Sequence, residues 1–209
     1  VQSGEVRHLC REYSQRITRM KSLLLAASLL TAASAVQAET VKYDLDASHS
    51  QILFSYSHLG FSTTWGMFSG FEGDILFDEG DPAASSVNVS MPLASMFTGW
   101  EARFGHFMSD DFFGAKGDEI VSFTSTGIEV TGETTANITG DLSLNGVTKT
   151  VVLDAVLNQA MVNPMAQKPW LGFDATTTVL RSDFNLGKFA PHVSDEVAIQ
   201  ISIEAGQAE

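Results

Sequence analysis

The chain has 209 residues, with twenty-five acids against twelve bases and a formal net charge of −13. That charge repels phosphate backbones and anionic bilayers, which excludes nucleic acid as a partner. The single cysteine, Cys10, leaves no partner for a disulfide and no thiolate cluster for zinc or iron–sulfur chemistry.

Residues 1–19 are polar and aperiodic and read as an upstream leader outside the mature protein. From Met20, MKSLLLAASLLTAASAVQA has a basic start, an apolar run and small residues before a cut. Residues 20–38 are therefore expected to be a signal peptide cleaved after Ala38, with Ala35 the second choice. The run is too short for a comfortable membrane span. The mature chain is then 39–209, one domain with no linker and no repeat at solenoid spacing. Removing the two acids and five bases before Glu39 leaves twenty-three acids and seven bases, a net charge of −16.

VKYDLD forms a short opening strand. The stretch from Asp44 to Asp78 then alternates apolar and polar residues, with Ile52, Phe54 and Tyr56 in one run and Phe71, Ile75 and Phe77 in the next. A period of two predicts pleated strands with one face inward. The intervening HLGFSTTWG carries turn residues, so the two runs form a hairpin. The second run is read as one long strand, 64–78, with Gly66, Gly70 and Gly73 where it must bend. VNVSM continues the pattern and Pro92 blunts its end.

Residues 93–119 are the least strand-like part. Phe104, Phe107, Met108, Phe112 and Phe113 recur every three to five residues or adjacently, which predicts one or two helical turns packing an aromatic face. Ser109 is the expected start of the second turn. Strand pattern returns from Glu119 onward, and Asn145-Gly146 between alternating apolar residues is a hairpin signal. About eight strands with short connections predict an all-β, antiparallel fold. Eight such strands close into a barrel with room for one slender ligand. A two-sheet sandwich without a cavity is the rival.

Catalytic signals are absent. His49 and His58 lie nine apart, matching no compact metal signature, and the expectation is that His49 bonds Asp46 while His58 caps a strand. There is no Gly-x-Ser-x-Gly elbow and no phosphate-binding glycine loop. Arg103 and Arg181 are open to two readings, holding a ligand head group or pairing with carboxylates. What stands out is fourteen phenylalanines. The inward candidates are Ile52, Phe54 and Tyr56 on the hairpin, then Phe68, Val89, Met91, Phe123 and Val179 on later strands. Phe107, Phe112 and Phe113 complete them at the lid. A lumen walled in this way binds hydrocarbon without a catalytic group.

The ordered motifs Asp46-x-x-His49-Ser50, His58-Leu59-Gly60-Phe61-Ser62, Gly66-x-Phe68 and Phe71-x-Gly73 begin a resemblance that runs through the mature chain. It continues in Ser109-x-Asp111-Phe112-Phe113, Gly140-x-Leu142-x-Leu144-x-Gly146-Val147-Thr148-Lys149 and Arg181-Ser182-Asp183-Phe184. The chain resembles the YceI family. The resemblance implies an eight-stranded, lipocalin-like barrel in the bacterial periplasm, holding a polyisoprenoid or related amphiphilic lipid in its lumen. Some members pair as homodimers, and no catalytic residues carry over. Departures at Glu101–His106 and at Phe184-Asn185 fall near the cavity mouth. The leading expectation is a periplasmic protein that binds an isoprenoid or quinone-like lipid, with no metal, no cofactor beyond the lipid itself, and no stable membrane insertion. Its rivals are a stress or interaction protein with a self-filled barrel, and a histidine–metal enzyme.

Overall fold

The structure is a computed structural model and describes residues 40–209, which pack as one unit. The expected leader and signal peptide lie outside the described residues. Ten strands appear in chain order: β1 Val41–Leu45, β2 Gln51–His58, β3 Ser62–Phe68, β4 Glu72–Phe77, β5 Ser86–Pro92, β6 Ile120–Val130, β7 Thr135–Leu144, β8 Val147–Val162, β9 Pro169–Leu180 and β10 Glu196–Gln207. One α-helix, α1, spans Glu101–Met108.

Every pairing is antiparallel, and the hydrogen-bonded order runs β1-β4-β5-β6-β7-β8-β9-β10, with β10 returning to β1. The ring closes because β1 and β2 share one edge of β10. Leu45 pairs with Ala205, and after a gap Gln51 pairs with Ser202. They are two halves of one stave, interrupted at 46–50. Likewise β3 pairs with β2 and β4 pairs with β1, so β3 and β4 make a second stave broken at Ser69-Gly70-Phe71. The ten strands thus form a closed eight-stave barrel, and the sandwich is excluded.

The expected single strand 64–78 is corrected to these two pieces. Gly70 (φ 68°) and Gly73 (φ 144°) supply the backbone turns of the break that L side chains resist. Gly66 has another role. A Cβ there would sit 2.2 Å from Phe54 Cζ, so the ring lies over the glycine across the ladder. Gly140 under Phe123 and Gly206 under Trp170 repeat the device. The hairpin at Asn145-Gly146 forms as expected, both residues having positive φ.

The ends of the barrel differ. One end is floored by Tyr43, Ile75, Leu171 and Ala205, with Phe77 and Phe173 packed against them. Phe77 therefore closes the floor. At the other end α1 and 109–115 bring Phe104, Phe107, Met108, Phe112 and Phe113 against Phe54, Tyr56, Phe184 and Leu186. The aromatic lid is thus a helix followed by a turn. Ser109 ends the helix, its N–H donating to His106 O (3.2 Å) and its hydroxyl to the same oxygen (2.6 Å). Among the described residues no helix is long and apolar enough to cross a membrane.

Candidate functional site

Because inward residues fall on alternate positions of each stave, the barrel axis is bounded by aliphatic and aromatic side chains. Along β9 the inward set is Leu171, Phe173, Ala175, Thr177 and Val179; along β10 it runs Val197, Ile199, Ile201 and Ile203. These walls do not meet in the middle. They enclose a cavity of about 250 Å³, where one water needs only about 10–15 Å³ on a comparable measure. Ala155 and Ala175 are paired across β8 and β9 and both are buried, so the wall is thinnest where these two smallest side chains face the lumen.

All eleven sequence candidates line this one cavity: Ile52, Phe54, Tyr56, Phe68, Val89 and Met91 on the first staves, Phe123 and Val179 further round, and Phe107, Phe112 and Phe113 from the lid. Sequence reasoning missed the far wall, chiefly Val151, Leu153 and Ile199. Their alternation was visible, but alternation alone does not say which face of a strand turns inward; that is set by the pairing of β8 with β7 and of β10 with β9.

Polar groups at the lid are spent on holding it shut. Arg181 borders the cavity beneath the loop 185–195. Its Nε donates to Ser194 O (2.9 Å), Nη1 to Leu186 O (2.5 Å) and Lys188 O (3.2 Å), and Nη2 to Val193 O (2.8 Å). The expected pairing of Arg181 with a carboxylate is corrected: carbonyls of one loop take these donors. Burial pushes its basicity down, partly offset by Asp195. Arg103 likewise donates to Thr98 O (2.8 Å) and lies over the Trp100 ring. A second tie crosses the mouth, where Asp111 accepts from Lys188 and meets His106 Nε2 at 3.2 Å. Lys188 first, then His106, holds the Asp111 carboxyl below the usual carboxylate range. His106 and Phe189 both stack with Phe112, closing an aromatic seam between lid and loop.

The expected Asp46–His49 bond is present, Nδ1 to Oδ2 at 2.7 Å. His58 is not near it; its backbone instead bridges Val193. Asp46, His49 and Glu204 bring ligand-type atoms within 4.8 Å of one another, but each is already engaged. Ser48 N–H and Oγ donate to Asp46 Oδ1, and Trp170 Nε1–H donates to Glu204 Oε2 (2.7 Å). None of the three lines the cavity. The group pins the break between β1 and β2 to β10, where Asp46 N–H also donates to Glu204 O (2.9 Å).

The model of the YceI-like domain matches residues 43–205. The chain belongs to the YceI-like family. A UPF0312 protein of Ectopseudomonas mendocina is 38% identical over 191 residues, covering 88% of this chain and 97% of the relative. Burkholderia cenocepacia BcnA has the same fold, with a TM-score of 0.69 at 26% identity, over 77% of this chain and 99% of that one. A polyisoprenoid binding domain from Saccharophagus degradans superposes with a TM-score of 0.62 over 80% of this chain and 99% of its own. At 15% identity that likeness speaks for the fold alone. In this YceI-like chain the family match covers β1 to β10 and so includes the lid, the hollow and the floor.

Proposed function

We propose that this protein holds the hydrocarbon part of an isoprenoid or similar amphiphilic lipid in the barrel, without catalysis, and shields it from water in the periplasm. The observation that carries the reading is the closed, hollow, almost wholly apolar interior. Burying hydrocarbon there is favourable by about 0.8 kcal/mol per methylene before the costs of association. The polar groups near the mouth are satisfied by the lid itself, so a polar head would remain at the rim. The Saccharophagus domain, whose name states polyisoprenoid binding, shares the barrel, and the export-type stretch at 20–38 agrees with a periplasmic site. A self-filled barrel is disfavoured by the same hollow.

The test is displacement of diphenylhexatriene from the purified protein by a long polyprenol. Ala175→Phe places a ring in the lumen opposite Ala155 and is expected to abolish probe binding while the cooperative melt remains. Undiminished binding by Ala175→Phe would contradict a lumenal site.

A further inference from the structure

The acidic charge of the domain is unevenly spread, and its exposed aromatic side chains gather on the less acidic part, while the exposed apolar residues at the other end are aliphatic, Met161, Val162 and Met165. Five of the seven bases after Glu39 lie at the lid end: Arg103 on α1, Lys116 before β6, Lys149 beside Asp183, Arg181, and Lys188 in the closing loop. Lys42 and Lys168 alone serve the floor end, the second bonding Gln207 O at the close of β10. Of the twenty-two acids among the described residues, fourteen lie outside the lid set of Glu101, Asp110, Asp111, Asp118, Glu119, Asp183, Asp195 and Glu196. The lid end thus has five bases against eight acids, a net charge of −3, and the rest of the barrel has two bases against fourteen acids, a net of −12.

The same end bears large apolar side chains that nothing covers. Phe61, at the tip of the β2–β3 turn, is 90% exposed; Phe97 and Trp100 are each 63% exposed, and Leu59 and Trp65 about half. Leu59 and Phe61 sit at the tip of the hairpin, and Trp65 lies along β3 from it. Phe97 is bridged to β3 through Met67, N–H to O in both directions (2.9 and 2.8 Å), and Trp65 lies two residues from Met67 on the same side of that strand. Phe97 and Trp100 flank the start of α1. None of the five lines the cavity, so the interior does not account for them. Tryptophan beside phenylalanine, with arginine next to the ring, is the composition that settles at a bilayer's interface, where one edge is apolar and the other wet.

We infer that this face seats the protein on the surface of a zwitterionic bilayer, with the lid turned towards the lipid. The charge distribution selects that occupant. A bilayer of neutral head groups accepts the less acidic end and leaves the strongly acidic barrel in water, whereas two copies of the chain would bring like charges together. Docking is also coupled to the mouth. Leu59 N–H donates to His192 O (2.7 Å), in the loop that Arg181 holds over the cavity. A displacement of the hairpin tip therefore bears directly on that loop. The inference extends the lipid-binding reading by naming where the lipid enters, and the two fail separately.

The test is flotation of the full domain with vesicles of phosphatidylcholine and phosphatidylethanolamine, for wild type and for Phe61→Ser/Phe97→Ser. Both substituted side chains point into water, so the fold and diphenylhexatriene binding are expected to be unchanged. Wild type should float, with a blue shift in tryptophan emission, and the double variant should partition about tenfold less or weaker still. Adding salt to about 1 M, where charge pairs beyond about 3 Å are screened, should leave flotation intact. Wild type that stays with the unbound fraction, a variant that floats equally well, or release by salt would each overturn the inference. Flotation without probe binding would overturn the lumenal reading and leave the docking face standing.

Discussion

Gly66 and Gly73 show how two neighbouring glycines answer different demands. A methyl at residue 66 meets only the far edge of the Phe54 ring, and that ring has a hollow to swing into. Gly66→Ala is therefore expected to cost about 1–3 kcal/mol in denaturant unfolding, in the range of overpacked cores, and to reduce probe binding as the ring enters the lumen. At residue 73 the methyl would lie 2.0 Å from Asn88 O, a backbone atom in a ladder, and φ is 144°. Gly73→Ala should cost more than Gly66→Ala, and equal costs would contradict this account. Asp46 and His49 give a pH signature. Ser48 first and His49 second lower the Asp46 carboxyl, while Asp46 raises the His49 imidazole. A lowered carboxyl contributes stability that is lost as pH falls through its folded value; a raised imidazole contributes stability that is lost as pH rises through its own. The pair thus stabilises most between about pH 4 and pH 6.5. Asp46→Asn should flatten the stability curve on both sides of that window, by a small amount because His49 is exposed. Of these residues, the Asp46–His49 tie was legible from spacing alone. The use of Gly66 was not, because a glycine in an alternating run reads the same whether it bends the chain or lies beneath a ring.

The break between β3 and β4 marks the limit of periodicity as a guide to elements. Phe71, Ile75 and Phe77 keep the alternation of a continuous strand, yet the stave turns at Ser69-Gly70-Phe71 and changes partner from β2 to β1. Pairing partners are non-local, and a period of two carries no information about them. The lid was legible as helical because its aromatic residues change period, and Ser109 both closes α1 and opens the turn that follows, where Asp111 N–H donates to its Oγ (3.4 Å) and Phe112 N–H to its carbonyl (3.0 Å). The mouth then depends on two polar ties. Arg181→Met removes four donor–carbonyl bonds and should destabilise by about 2–3 kcal/mol, given the value of charged hydrogen bonds and the carbonyls left behind. Hydrogen exchange should rise in 185–195 before it rises in the staves. Lys188→Ala cuts the tie to Asp111 and the contact over the Phe189 ring, both exposed, and should hasten release of a bound probe with little change in melting. Slower or unchanged release would show that lid and loop do not gate the cavity.

At the scale of the molecule, eight staves close into a ring, and along β3 the segment before α1 takes over from the sheet where Phe97 bridges Met67. Closure, floor and lid together leave one apolar hollow inside an acidic shell. The inward candidates on the first staves could be read from the sequence because each belongs to an alternating run close to a turn. The far wall alternates as clearly, but which of its faces turns inward is set by non-local pairing. The two arginines were misread because chemistry at carbonyls leaves no mark in a sequence, whereas a carboxylate partner does. The central claim is that the hollow exists to be filled by a long hydrocarbon. Native mass spectrometry of the protein recovered from its own host, followed by organic extraction, tests it most directly. The expected result is a bound mass lost on extraction and recovered as a long-chain isoprenoid or related lipid; protein that arrives empty, or carries only a small polar molecule, would contradict it.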